Sequence, residues 1–218
     1  MVNLGDVFPN FEADTTVGKI KLHDWVGNSW AVLFSHPRDF TPVCTTELGR
    51  VVKLVPEFEK RNSKLIALSC DDVPSHKEWS KDVMSYAGAK GDFPYPIIDD
   101  SSRKLAVSLG MVDPDEKCPS GNPLTCRAVF VIGPDKKLKA SILYPATTGR
   151  NFDEILRLID SLQLTAVKKV ATPADWKPGM PVMVVPTLSK DEAAKLFKKI
   201  ETKQLPSKQE YLRTTTDY

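Results

Sequence analysis

The sequence lacks any long run of apolar residues, and its N-terminus lacks a basic stretch followed by an apolar core. A helix that crosses a bilayer needs about 20 consecutive apolar residues, and no segment of the 218 residues approaches that length. The first residues, MVNLGDVFPNF, also differ from a secretory leader. These two absences favour a cytoplasmic protein whose thiols are kept reduced.

Cysteine is scarce, and the four cysteines form no C-x-x-C pair. This absence argues against a zinc knuckle and against a dithiol of the thioredoxin active-site kind. Cys118 and Cys126 have the wrong spacing for a metal clamp, and no histidine lies near them in the sequence. We therefore predict no metal site. Each cysteine is expected to react, if at all, as a single thiol.

The chain also lacks an excess of one charge, since 30 basic and 28 acidic residues leave a net charge of +2. A dedicated nucleic-acid-binding domain carries a strong basic excess. The lysine clusters at 136–139 and 195–199 are typical of solvated faces. We therefore expect no nucleic acid among the partners.

Short apolar runs alternate with helical periodicities along most of the chain. Strands are predicted at residues 30–35, 64–70 and 95–99, and a hairpin is predicted at 127–144. Helices lie between the strands, so the pattern predicts an α/β fold with a central mixed sheet flanked by helices. Pro56 should kink the helix that follows the first strand or end its first half.

Two stretches depart from this alternation. Residues 113–126, DPDEKCPSGNPLTC, are rich in turn residues and are expected to be irregular. Residues 165–218 contain one strand candidate and one capped helix between prolines, which together bury little by themselves. We therefore expect a domain at 1–164 and an arm at 165–218 that packs on this domain or on a second subunit.

The segment PVCTTE, residues 42–47, carries the strongest chemical signal. Thr41 followed by Pro42 is typical of a helix start, with a capping side chain and then proline at the first helical position. Cys44 would be the third helical residue, where unpaired N–H groups and the helix dipole favour an anion and lower the pKa of a thiol. A cap at one of the next two threonines would place Cys44 just ahead of the helix. An inert, buried cysteine is the alternative interpretation.

The spacing P-x-x-x-T-x-x-C places Pro37 and Thr41 beside Cys44. The threonine hydroxyl can reach the thiolate or a bound oxygen, and proline shields the sulfur from water. A cation is also needed, and Arg127 at the start of the hairpin strand is the candidate. An ordinary salt bridge at the strand edge is the alternative role for this arginine.

The segment SHPRDFTPVCTTE, residues 35–47, resembles the active-site segment of the 1-Cys peroxiredoxins of the peroxiredoxin-6 class. The resemblance extends to YPIIDD, LGMVDP, GPDKKLK, LYPATTGRNFDEILR and VATPADWKPG. It implies a thioredoxin-like fold and the reduction of hydrogen peroxide and of organic or lipid hydroperoxides. It also implies that Cys44 is the peroxidatic cysteine, with Thr41, Pro37 and Arg127 around it. No metal or organic cofactor is needed, because the sulfur carries the electrons.

The resolving cysteine of two-cysteine peroxiredoxins usually lies late in the chain, and here no cysteine follows Cys126. The resemblance therefore implies an external thiol, such as glutathione delivered with a glutathione transferase, and it also implies a homodimer. Cys70 and Cys126 could lie near the site, although buried bystanders are more typical.

Three further residues are candidates for shaping the pocket. His36 faces the site in the resembling family, and a hydrogen-bonded structural histidine is the alternative. Arg150 could add positive potential near the pocket, or it could pair with Glu47 and hold the helix start in place. We expect mainly structural roles for His36 and Arg150, with some influence on peroxide binding.

A second activity is suggested by GNSWA, residues 27–31, which corresponds to the G-x-S-x-G segment linked to phospholipase A2 activity in the peroxiredoxin-6 class. Ser29 would be the nucleophile, with His23 and Asp135 as partners. Alanine replaces the last glycine, and Ser29 precedes a strand, so the geometry of a nucleophile elbow is missing. The sequence is also compatible with phospholipid binding without hydrolysis, and with a non-catalytic thioredoxin-like chaperone.

Overall fold

The computed structural model describes residues 2–218 and contains two compact units, which divide between Phe152 and Asp153. The elements up to the division are β1 (Glu12–Thr15), β2 (Gly18–Lys21), α1 (Leu22–Val26), β3 (Trp30–Ser35), α2 (Pro42–Lys60), β4 (Ser63–Ser69), α3 (Val73–Ala87), β5 (Ile97–Asp99), α4 (Lys104–Ser108), β6 (Val112–Lys117), β7 (Pro123–Thr125), β8 (Arg127–Ile132) and β9 (Leu138–Tyr144). The elements that follow are α5 (Phe152–Val167), β10 (Val170–Ala171), β11 (Val182–Val184), α6 (Lys190–Leu196), β12 (Glu201–Thr202) and β13 (Arg213–Thr215).

The first unit is built on a seven-stranded sheet with the order β2-β1-β5-β4-β3-β8-β9. β3 pairs parallel with β4 and antiparallel with β8, so the predicted mixed α/β sheet with flanking helices is confirmed. Every residue of β3 and of β8 is buried, which explains why both strands are mostly apolar in the sequence. Cys44 follows the first of these two central strands, and Arg127 begins the second.

α2 is a 19-residue helix that starts at Pro42 and places one apolar face in the core. Its buried face includes Leu48, Val51, Val52 and Phe58, which follow the helical period. The helix continues through Pro56 to Lys60, so this proline does not end it. The buried residues on both sides of Pro56 hold the two halves in one helix, although one backbone hydrogen bond is lost.

Two features of the first unit were not predicted. β1 and β2 form an antiparallel hairpin, and β6 pairs with β7 inside the segment that was expected to be irregular. These strands are short and mostly polar or exposed, so they leave no apolar alternation in the sequence. Their existence depends on cross-strand backbone pairing, which local composition does not encode.

The second unit has its own four-stranded sheet, ordered β10-β11-β13-β12, and its own core around Trp176, Val182 and Phe197. The predicted capping box of α6, formed by Ser189 and Glu192, is present. α5 lies in this unit, where its residue Ser161 bonds to Thr172. The division between the two compact units therefore falls directly after the first residue of α5, and the boundary after residue 164 stays a prediction. In the described part of the chain, none of the helices combines the length and the apolarity of a membrane span.

Candidate active site

Cys44 is the third residue of α2 and is fully buried. Its Sγ accepts a hydrogen bond from Arg127 Nη1 at 3.3 Å, although the two residues are 83 positions apart in the sequence. The helix begins shortly after β3 ends, so the sulfur lies at the carboxyl edge of the sheet, where open α/β sheets bind ligands. The position predicted for Cys44 from Thr41 and Pro42 is therefore the one found, and the next two threonines lie inside the helix.

Arg127 is held in one orientation by contacts to three different groups. Its Nε and Nη2 donate to the carbonyl oxygen of Ala146 at 2.9 and 2.5 Å. Its Nη1 donates to Glu47 Oε2 at 2.7 Å as well as to Cys44 Sγ. Because Arg127 is only 3% exposed, it is a buried partner of the sulfur and not an exposed strand-edge salt bridge. The acceptor on Ala146 was not foreseen, since a backbone carbonyl leaves no signal in the side-chain pattern.

Arg150 also binds Glu47, the glutamate that accepts a hydrogen bond from Arg127. Its Nε and Nη2 donate to the two carboxylate oxygens of Glu47 at 2.9 and 2.8 Å, and its backbone N–H donates to Oε1 at 2.7 Å. Nη1 donates to the carbonyl oxygen of Ala128 at 2.8 Å. The sequence left open whether Arg150 faces the pocket or pairs with Glu47, and the structure contains the pair.

The two guanidinium groups and one carboxylate leave one positive charge in excess beside Cys44. Burial by itself raises the pKa of Glu47, but the hydrogen bonds and charge of Arg150, with the charge of Arg127, outweigh burial and hold this pKa below its usual value. Glu47 is therefore ionised at neutral pH. A negative charge on Cys44 would neutralise the remaining positive charge in a buried site, where an uncompensated charge is costly.

Thr41 and Pro37 lie on the approach to the helix, and Pro37 is buried. The Thr41 hydroxyl donates to the carbonyl oxygen of Arg38 at 2.8 Å, so the expected side-chain cap of α2 is not formed in the described structure. Thr41 is nevertheless the N-cap residue by its backbone. The N–H groups of the first turn are thus not taken up by this side chain, which leaves them available to an anion at the helix start.

His36 is completely buried, and its Nε2 is 2.7 Å from Asp39 Oδ1. Its ring lies 4.9 Å from the ring of Trp79, and its backbone carbonyl accepts a hydrogen bond from the Thr125 hydroxyl at 2.7 Å. This environment is that of a hydrogen-bonded structural histidine, one of the two roles that the sequence left open. Sequence reasoning missed Asp39, although its i, i+3 spacing from His36 was visible.

The other three cysteines differ from Cys44 in their surroundings. Burial raises the pKa of Cys70 to about 11, and burial also raises the pKa of Cys126. The Ser120 hydroxyl, with backbone hydrogen bonds, lowers the pKa of Cys118, which is partly exposed. All four cysteines are unpaired thiols. Cys70 and Cys126 are therefore protonated at neutral pH and are poor nucleophiles.

The residues suggested for a second site have separate hydrogen-bond partners. The Ser29 hydroxyl donates to Asn62 Oδ1 at 3.0 Å, and His23 Nε2 donates to the carbonyl oxygen of Phe8 at 2.7 Å. Asp135 pairs with Lys139 Nζ at 2.6 Å. Within residues 2–218, no hydrogen bond joins Ser29 to His23 or His23 to Asp135. The structure therefore contains no proton relay to Ser29, and hydrolase activity stays a prediction from the sequence alone.

Comparison with known proteins places the whole chain in one family. The model of the AhpC/TSA family matches residues 4–141, and the model of the C-terminal domain of 1-Cys peroxiredoxin matches residues 161–199. Peroxiredoxin-6 of Gallus gallus is 67% identical and that of Homo sapiens is 66% identical, each over 97% of this chain and 96% of the relative.

Two solved structures extend the likeness to the fold. A mutant of the peroxiredoxin 6 of Arenicola marina is 70% identical and superposes with a TM-score of 0.97, covering 99% of this chain and 98% of the other. The yeast mitochondrial 1-Cys peroxiredoxin, whose thiol resolving mechanism runs via glutathione/thioredoxin systems, is 47% identical with a TM-score of 0.90 and 99% coverage of both chains. The chain therefore belongs to the AhpC/TSA family with its thioredoxin-like fold, and within it to the 1-Cys peroxiredoxins of the peroxiredoxin-6 class, which makes it a thiol peroxidase.

Proposed function

We propose that Cys44 is the peroxidatic nucleophile of this peroxidase and that Arg127 is its direct electrostatic partner. The observation that carries the proposal is the 3.3 Å contact between Cys44 Sγ and Arg127 Nη1 in a fully buried position at the start of α2. A helix start, a guanidinium and a local excess of positive charge all lie where negative charge develops during attack by the sulfur.

In the proposed reaction the Cys44 thiolate attacks the terminal oxygen of a hydroperoxide. The S–O bond forms as the O–O bond breaks, and the alkoxide or hydroxide that leaves takes up a proton to become an alcohol or water. The sulfur is oxidised to a sulfenic acid while the peroxide is reduced. Negative charge spreads from sulfur onto two oxygens, so donors that are already oriented toward the sulfur lower the barrier.

Several residues contribute to this stabilisation without reacting. The fixed guanidinium of Arg127 faces the developing charge, and Glu47 with Arg150 keeps that guanidinium in place. The Thr41 hydroxyl, which donates to the carbonyl oxygen of Arg38, is able to turn toward a bound peroxide oxygen. Pro37 excludes water from the sulfur.

We infer that an external thiol returns the sulfenic acid to the thiolate. A first thiol condenses with it to a mixed disulfide and releases water, and a second thiol releases Cys44 and leaves as the oxidised disulfide. The raised pKa values of Cys70 and Cys126 make both poor internal resolving groups. Glutathione, delivered with a glutathione transferase, is the reductant we favour, because the resolving mechanism of the yeast relative runs via glutathione/thioredoxin systems.

We also infer the broader setting of the enzyme from the same features. Four unpaired thiols suit a reducing compartment such as the cytoplasm. Hydrogen peroxide and organic or lipid hydroperoxides share the O–O bond on which the reaction depends, and all are proposed substrates. We propose residues 165–218 as an arm that packs and supports a homodimer, since exposed apolar side chains such as Leu196 and Tyr211 lie within it.

The test of this function is the mass of each cysteine peptide after one equivalent of hydrogen peroxide and a dione that traps sulfenic acids. The adduct is expected on Cys44, while Cys70 and Cys126 stay unmodified because their thiols are protonated at neutral pH. An adduct on Cys70 or Cys126 with Cys44 unmodified would show that the wrong thiol has been chosen.

Arg127→Lys should slow the reaction of Cys44 with peroxide by about 10- to 100-fold. Lysine keeps the charge, but one ammonium group cannot hold the Ala146 carbonyl, Glu47 and the sulfur in the fixed geometry of the guanidinium. The second-order rate constant is measured by rapid mixing. Arg61→Lys is the matched control, because Arg61 pairs with Glu57 at the opposite end of α2, and it should keep the wild-type rate. Equal rates for wild type and Arg127→Lys would remove Arg127 from the proposed mechanism.

A further inference from the structure

A cluster of three buried titratable side chains lies outside the Cys44 contacts. His36 Nε2 is 2.7 Å from Asp39 Oδ1, and His76 Nδ1 is 2.7 Å from Asp39 Oδ2. All three side chains are buried, with at most 1% of their surface exposed. Burying such groups is costly unless they are paired, so the cluster is maintained by specific interactions.

The spacing of the cluster is that of hydrogen bonds and not of metal ligands. Its donor set of two imidazoles and one carboxylate could in principle hold a metal ion. Two ligand atoms about 2.0 Å from a tetrahedral zinc ion lie about 3.3 Å apart, whereas the histidine nitrogens are 2.7 Å from the carboxylate oxygens. Protons, and not a metal ion, fit between these atoms.

The partners of His76 determine where its protons are. Its Nε2 is 3.1 Å from the carbonyl oxygen of Ile98, which can only accept a hydrogen bond. Its Nδ1 faces the carboxylate of Asp39, which accepts when ionised. Both ring nitrogens of His76 therefore donate, and the ring is a buried imidazolium paired with a carboxylate.

His36 is in the opposite state. Its Nε2 donates to Asp39, while its Nδ1 has no hydrogen-bond partner among residues 2–218. A second proton on Nδ1 would create a buried donor without an acceptor, so the neutral ring is the favoured form. The cluster thus holds one negative and one positive charge, on Asp39 and His76, and is neutral overall.

Asp39 connects this ion pair to the segment that leads into α2. Its backbone N–H donates to Asp71 Oδ2 at 2.8 Å, and its carboxylate accepts from the Ser75 hydroxyl at 2.8 Å. The next residue, Phe40, has a φ of 54°, a left-handed conformation that a bulky side chain rarely adopts. Such a strained residue persists only where its neighbours fix it, and the residue after it is the N-cap, Thr41.

α3 also holds the other side of Cys44. Trp79, one turn after His76 on α3, donates from Nε1 to the hydroxyl of Thr45 at 3.1 Å. Thr45 follows Cys44 directly in α2. The same face of α3 therefore contacts the chain on both sides of the sulfur, through Asp39 and through Thr45.

We propose that His76, acting through Asp39, is a positioning residue of the peroxidase reaction, which holds the segment 36–41 and thereby the Cys44 end of α2. The proposal rests on the proposed role of Cys44. It assigns to His76 a function that depends on its positive charge, so that loss of one proton from the ring loosens the segment. The neutral ring would lose either its hydrogen bond to the Ile98 carbonyl or its hydrogen bond to Asp39 Oδ2.

The pH at which this happens follows from the groups around His76. Burial lowers the pKa of His76, but the hydrogen bond and charge of Asp39, with Asp71, outweigh burial and raise it above its usual value. Asp99 also interacts electrostatically with His76. The ring centroids of His76 and His36 are 6.2 Å apart. Because the pKa is higher in the folded state, the stabilisation is complete below the ordinary histidine pKa and is lost as pH rises through the folded value.

The test combines two measurements on the full chain. Two-bond ¹H–¹⁵N spectra of the histidine rings should show both nitrogens of His76 protonated at neutral pH and His36 with one proton. The rate constant for peroxide reduction, measured by rapid mixing from about pH 6 to about pH 10, should then fall as His76 loses its proton. In His76→Gln the rate at neutral pH should drop about tenfold, and the decline linked to His76 should be absent.

Lys77→Gln is the matched control, since Lys77 is an exposed residue on the same helix and loses the same charge. It should keep the wild-type rate and pH profile. A singly protonated His76 at neutral pH, or a wild-type rate and profile in His76→Gln, would overturn the proposal. If His76→Gln fails to fold, the wild type alone tests the proposal. A peroxide rate that stays constant over the pH range in which NMR shows His76 losing its proton would contradict the proposal. Peroxide turnover by Cys44→Ser would instead contradict the proposed function and leave the state of His76 unchanged.

Discussion

Cys44→Ser should lower the rate of peroxide reduction by at least about a thousandfold, to the background of the buffer. A serine hydroxyl is not ionised at neutral pH and does not accept an oxygen atom from a peroxide, so the first step of the proposed reaction has no nucleophile. The loss of rate is larger than that expected for Arg127→Lys. Arg127 only stabilises the charge that develops on the sulfur, whereas Cys44 supplies the reacting sulfur itself. Rapid mixing with hydrogen peroxide measures the first step directly.

Cys118→Ser provides the control for this variant. Cys118 is a second thiol, its pKa lies below its usual value, and the chemical change is the same. The control should keep the wild-type rate of the first step, and circular dichroism should show that both variants are folded. Peroxide consumption that survives Cys44→Ser would contradict the proposal and would favour a scaffold or chaperone with an incidental thiol.

Glu47→Ala should lower the free energy of unfolding by about 3–5 kcal/mol, because it leaves two buried guanidinium groups without a counter-ion. Arg127 is 3% exposed and Arg150 is 8% exposed, so neither charge can regain its hydration without opening the site. The same substitution should also slow peroxide reduction, since Arg127 loses the carboxylate that orients it toward the sulfur. Chemical denaturation measures the first effect and rapid mixing the second.

Glu57→Ala is the matched control on the same helix. Glu57 pairs with Lys60 and Arg61 near the end of α2 in contact with solvent, where ion pairs contribute little. Its removal should change the stability much less than removal of Glu47 and should leave the peroxide rate unchanged. Equal losses of stability in the two variants would show that the buried charge network does not stabilise the fold.

The stability of wild type should also fall at acid pH for the same reason. The pKa of Glu47 is lower in the folded state, because its pairs with Arg150 and Arg127 outweigh the effect of burial. Its contribution is therefore present above the ordinary glutamate pKa and is lost as pH falls through the folded value. This acid dependence should be reduced in Glu47→Ala.

The sequence by itself determined the features that depend on neighbours in the chain. Thr41 and Pro42 set the start of α2 and so made Cys44 its third residue, because a proline at the first helical position has a backbone angle that already suits the helix. The buried strands β3 and β8 were visible as apolar runs for a similar reason. The motif around Cys44 also indicated the family before any fold was known.

Only the tertiary structure decided which groups meet the sulfur and what holds them. Arg127 was a candidate among 30 basic residues, and its contact with Cys44 spans 83 positions, while the Glu47–Arg150 pair spans 103. The Asp39–His76 pair was missed, since its partners lie 37 positions apart on different elements. Charges and hydrogen bonds act over a few ångströms in space, and the distance along the chain between two groups says nothing about that separation until the sheet has formed.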